Sequence, residues 1–248
     1  AFLPHFDYVQ EAIDLADPDV DFSDADHVVV VANPDATTLA FGPTLVANDD
    51  FYALQADGVL IHNAITSAYD LNFWGHMWLN HETGHSLGLP DLYAFAGGHP
   101  HVGQFDLMGN IAGESPSLLG YQRWLLDWVT DEQVYCQTTP EEMVELSPIE
   151  TPDGVKLLVV PLSASRAVIV ESRRAIGVDA AMPKEGALVY TVDAEIVTGE
   201  GPINIAAADG VPFYDAPLLT GEAREVEGIT IEVVDQGEDF DLVRVTAP

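Results

Sequence analysis

Residues 70 to 91 read DLNFWGHMWLNHETGHSLGLPD. Within them Trp74, Met77, Trp78, His81 and His85 recur at spacings of three and four, the period of a helix with one inward face. A helix turns once in about 3.6 residues, so His81 and His85 stand one above the other. Ser67 and Asp70 offer capping oxygens near the start. Gly88 is placed to end the helix in a left-handed turn, and Pro90 prevents its resumption.

The run His81-Glu82-Thr83-Gly84-His85 is H-E-x-x-H. On a helix this pattern points two imidazoles at one zinc ion and sets a carboxylate beside them, the arrangement of a metallopeptidase. A turn at Gly88 brings the chain back, and the residue ten places after His81 is Asp91, whose oxygen can complete a three-ligand site. The chemistry expected is a zinc-polarised water that Glu82 deprotonates, attack on a peptide carbonyl, and return of the proton to the leaving amine.

H-E-x-x-H-x-x-G with a ligand at that spacing and a downstream methionine resembles the metzincins. Within them His81 through Tyr93, HETGHSLGLPDLY, is similar to the immune-inhibitor-A-like family of secreted metallopeptidases. The resemblance implies Asp91 in place of a third histidine. It implies a methionine turn at Phe105-Asp106-Leu107-Met108-Gly109, with Met108 as an apolar floor under the metal. It is densest over residues 76 to 128. It continues weakly at Glu171-Ser172-Arg173-Arg174 and at 188–193, and reaches back to Val9 through Asp26. It also implies an extracellular protein. No basic amino-terminal segment with an apolar centre is visible, and a start at Ala1 fits a trimmed product. Where many metzincins carry an oxyanion-stabilising tyrosine, two residues after the turn methionine, this chain has Asn110; Tyr93, Tyr121 and His76 are the candidates left. Asp106 is a candidate to orient a ligand histidine.

Other readings compete. Asp91 could merely cap a turn, leaving His99 or His101 as third ligand. Gly84-His85-Ser86-Leu87-Gly88 matches the serine-hydrolase elbow, but that motif needs a strand before the serine and a helix after it. A catalytically silent binding or adhesion module on a peptidase scaffold is the alternative function, although such a module has no need of Glu82.

Composition narrows the partners. The chain has 41 Asp and Glu against 8 Lys and Arg, a formal net charge of −33. Such a surface repels nucleic-acid phosphates and anionic membranes, and it fits a salty setting where counterions screen self-repulsion. No apolar run approaches a membrane span, so a protein or peptide substrate and no membrane insertion are expected. Cys136 is the only cysteine, so no internal disulfide forms. Asp17, Asp19 and Asp21 alternate as calcium ligands do. Phe22 stands where an EF-hand loop needs glycine, so calcium is kept only as an alternative to a solvated acidic turn.

Along the chain, residues 8–16 have helical spacing through Tyr8, Ala12 and Leu15. Residues 27–32, 37–46 and 58–64 read as strands. The stretch 93–114 is glycine-rich and reads as a functional loop. Residues 115–129 read as a helix with Leu118, Tyr121, Leu125 and Trp128 inward. After about 140, short apolar runs recur at 156–162, 166–171, 187–192, 229–234 and 240–246, the texture of an all-β module. The fold expected is α+β: a metzincin-like zinc peptidase catalytic domain over residues 1–138, then a sandwich-like β-rich domain over 139–248.

Overall fold

In the computed structural model, which describes residues 2–33, 35 and 37–247, the first helix, α1, runs Phe2–Ala16. Val9 and Ile13, four apart, are its buried face, while Tyr8 and Leu15 point to solvent. The helical spacing is present, but the inward face lies one residue along from the expected one.

The chain divides into two compact units, Ala1–Leu89 and Pro90–Pro248. The change of texture near 138 falls inside the second.

In the first unit β1 (His27–Val30), β2 (Thr44–Val46), β3 (Leu54–Ala56), β4 (Val59–Ile61) and β5 (Asn63–Thr66) follow α1. The order β1-β5-β2 makes a three-stranded sheet, with β1 parallel and β2 antiparallel to β5. β3 and β4 form a hairpin across Asp57-Gly58, both at positive φ, as a two-residue turn of that hand requires. Val9, Ile13, Leu45, Leu54, Ile61 and Ala64 belong to one core. The β-branched run at 27–32 is less covered than its composition promised, since Val29 and Val31 are exposed.

The single helix expected from near Asp70 is two. α2 covers Leu71–Trp74 and α3 covers His76–Ser86, divided by Gly75 at φ 54°. Asp70 stands at the N-cap of α2, but its side chain caps neither helix. Its carboxylate accepts from the N–H groups of Gly42 and Ala68, and Ser67 accepts from Ala32 N–H.

In the second unit no helix or strand lies between α3 and α4 (Gly120–Leu125). The expected helix over 115–129 is thus six residues long. Leu119, Gln122 and Val129 are buried there, whereas Leu125 and Trp128 are exposed. Gly120 is a tight contact, because a Cβ there would collide with Leu157 and Glu171.

The rest is β. The strands are β6 (Val134–Cys136), β7 (Glu141–Leu146), β8 (Leu157–Pro161), β9 (Arg166–Arg173) and β10 (Gly186–Asp193). They continue with β11 (Ile203–Ile205), β12 (Ala223–Val226), β13 (Ile229–Gln236) and β14 (Asp241–Thr246). One sheet has the order β11-β10-β9-β8-β6, the other β12-β13-β14-β7. Leu158, Val160, Val168 and Val170 of the first share a core with Ile231, Val233, Val243 and Val245 of the second. Alternate residues of β14 are buried, the period of a strand with one covered face.

These elements overturn the α+β, metzincin-like architecture. About 30% of the chain is strand against 19% helix, with four α-helices among the described residues. A metzincin catalytic domain is organised around its helices, and here the longest candidates are cut short. Gly75 breaks one, and the other begins only at Gly120. No described helix is long and apolar enough to cross a membrane.

Candidate metal centre

α3 does what its sequence requires. His81 and His85 lie on one face, with ring centroids 4.9 Å apart and planes at 89°. His81 is 4% exposed. The helix closes at Leu87, and Gly88 follows at φ 88°. Gly88 N–H donates to His85 O at 2.9 Å and Leu89 N–H to Gly84 O at 3.0 Å. These two bonds are the Schellman closure that glycine at this position permits.

That turn also orients a candidate ligand. His85 Nδ1 is 2.9 Å from Leu89 O. A carbonyl can only accept, so Nδ1 carries the hydrogen and Nε2 keeps its lone pair for a cation.

Pro90 carries the chain onward to Asp91, which is 9% exposed. Asp91 N–H donates to Thr198 Oγ1 at 2.9 Å, Gly199 N–H donates to Asp91 O at 3.0 Å, and Leu92 N–H donates to Met108 O at 2.9 Å. The backbone around Asp91 is therefore fixed on three sides. His81, His85 and Asp91 each offer one ligand atom, and these atoms all lie within 4.8 Å of one another. It is the one such group of three among the described residues; the aspartates at 17, 19 and 21 form none. Two imidazoles and a carboxylate are a donor set that zinc accepts, so the residues fit the ion.

Glu82 follows His81 directly on α3. Thr44 Oγ1 stands 2.6 Å from Glu82 Oε2 and 3.0 Å from Glu82 O. No reading of the sequence singled out Thr44, which is 38 residues away and belongs to no motif.

Met108 is fully buried, in a turn where Asp106 takes φ 71°. Gly109 and Asn110 N–H both donate to Asp106 O. The Asp106 carboxylate does not hold a ligand histidine. It accepts from Met108 N–H at 2.8 Å and Leu119 N–H at 2.7 Å, with the Gln122 amide beside it. Burial pushes its pKa up to about 7, against the pull of those N–H groups and of Arg173. It shapes the turn that carries Met108.

His99 and His101 are engaged elsewhere, His99 Nδ1 with Gly109 O at 2.6 Å and His101 Nδ1 with Asn204 Oδ1 at 2.9 Å. Asn110 Oδ1 accepts from Ala112 N–H. Tyr93 packs its ring against Phe95. Tyr121 is half-buried, and burial raises its phenol above the usual range. His76 opens α3. Ser86 lies at the end of a helix, not after a strand, which removes the serine-elbow context.

Comparison of the chain with protein-family models, with curated proteins and with solved structures returns no match.

Proposed function

We propose that this chain is a secreted zinc-dependent endopeptidase. The observation that carries the reading is the convergence of His81, His85 and Asp91 ligand atoms within 4.8 Å, with Glu82 next to His81 on the same helix. The resemblance of His81 through Tyr93 to the immune-inhibitor-A-like peptidases supports the same reading and says nothing about the architecture.

His81, His85 and Asp91 would hold the ion. A divalent cation bound there supplies Lewis-acid polarisation of oxygen. Glu82 takes a proton from the attacking water and delivers it to the leaving amine. Leu89 O holds the His85 ring in the tautomer that leaves Nε2 available. The loop bearing Thr198 and Gly199 holds the Asp91 backbone.

The test is casein hydrolysis by the zinc-loaded chain with and without a chelator, beside Glu82→Gln. Chelator-sensitive cleavage is expected, and Glu82→Gln should keep its zinc while losing about 10²–10⁴ in rate. One zinc per chain with no cleavage of any protein substrate would instead favour a silent binding module. No zinc at all would overturn the site.

A further inference from the structure

We infer that Thr44 is a positioning residue for Glu82; this rests on the peptidase reading above. Thr44 opens β2, an edge strand of the three-stranded sheet, and pairs with Ile65 of β5. Its side chain is β-branched and stiff at χ1, so its hydroxyl is a fixed point presented by a hydrogen-bonded strand. Other buried polar groups nearby serve the backbone: Asp70 accepts from Gly42 and Ala68, and Ser67 from Ala32. Thr44 Oγ1 instead reaches two oxygens of Glu82, at 2.6 Å and 3.0 Å.

A hydroxyl has one hydrogen and two lone pairs. While Glu82 is ionised, the Thr44 hydrogen points to Oε2, and 2.6 Å is the length of a charge-assisted O–H···O⁻ bond. Glu82 takes the proton of the attacking water on its other oxygen, Oε1, and Oε2, now the carbonyl oxygen of the acid, still accepts from Thr44. The same heavy-atom geometry serves both forms of the carboxyl. The proton passes from water to Glu82 to the leaving amine, and Thr44 ends each cycle with the hydrogen it began with. A base held this way does not swing between taking and giving a proton.

The experiment compares Thr44→Val, which keeps shape without the hydroxyl, with Thr44→Ser, which keeps the hydroxyl. Zinc stoichiometry, kcat and KM are measured on the full chain, and the Glu82 pose is read from crystals of the metal-free variants. Thr44→Val should bind zinc as wild type does and hold KM within about twofold, while kcat falls roughly 10- to 100-fold, the scale of a misplaced catalytic group. Its Glu82 carboxylate should leave the wild-type position. Thr44→Ser should restore kcat to within about threefold and restore the pose, since the hydroxyl alone is the proposed cause. An undiminished kcat in Thr44→Val, a parallel loss of zinc, or failure of Thr44→Ser to rescue would each overturn the inference while leaving the peptidase reading intact. Absence of cleavage by the zinc-loaded wild type would overturn both.

Discussion

His85 Nδ1 donates to Leu89 O across 2.9 Å, so the turn that ends the helix also sets the tautomer of a candidate metal ligand. The carbonyl is in place because Gly88 adopts φ 88°. Helix termination and the tautomer of His85 are therefore coupled through one residue without a side chain.

Gly88→Val tests that coupling. A β-branched residue resists positive φ, so the Schellman bonds should weaken and stability should drop by about 1–2 kcal/mol. Zinc affinity should drop with it by roughly tenfold, the scale of losing a partner that orients a ligand. Equilibrium unfolding and zinc titration measure the two effects. Lost stability with unchanged zinc affinity would separate the turn from the site.

Asp91→Ala should abolish stoichiometric zinc binding at neutral pH while the metal-free chain stays folded, since the backbone bonds from Asp91 N–H to Thr198 and from Gly199 N–H to Asp91 O need no carboxylate. Metal analysis after gel filtration reads the first effect, and circular dichroism the second. Retained zinc would return the third-ligand role to another group.

Arg173 is fully buried and faces three acids: Glu171 at 3.0 Å, Asp179 at 3.0 Å and Glu150 at 3.3 Å. It also donates to Ser115 Oγ at 2.7 Å. Arg173→Met should cost about 3–5 kcal/mol in urea unfolding, because it strands carboxylates that burial has removed from water. A triple variant that also neutralises Glu171 and Asp179 should recover part of that loss.

Glu150 gives a pH signature. Burial pushes its pKa from 4.5 up to about 7, although Arg173 opposes the shift. Between these values the unfolded chain has released the proton and the folded chain still holds it, so stability falls as pH rises from about 4.5 to 7. Glu150→Gln should remove that slope, gaining on the order of 2–3 kcal/mol over wild type between pH 4.5 and pH 8. Taking the difference between the two proteins cancels the pH response of the other acids. Parallel curves would refute the assignment.

Salt should raise the melting temperature. Residues 1–89 carry 14 Asp and Glu and no Lys or Arg, so self-repulsion in this unit has no internal cation to offset it. Raising sodium chloride from about 50 mM to 1 M shortens the screening length to roughly 3 Å and should stabilise the fold. A flat response in calorimetry would count against adaptation to a saline setting.

Helical period alone stacks His81 over His85, and the chirality of the backbone alone makes Gly88 the natural stop; both are local properties that a string of residues carries. The apolar runs from 156 onward became strands for the same reason, since alternation and β-branching act over a few residues. Tertiary structure decided the rest. It broke the long helix at Gly75, turned α1 onto Val9 and Ile13 instead of Tyr8 and Leu15, and set Asp106 to shaping the turn around Met108. It also brought Thr44 to Glu82 and gathered Glu150, Glu171 and Asp179 around Arg173. Such partners lie as far as 38 residues apart in the chain. Their meeting depends on which strands pair and which faces bury, and no local pattern encodes that.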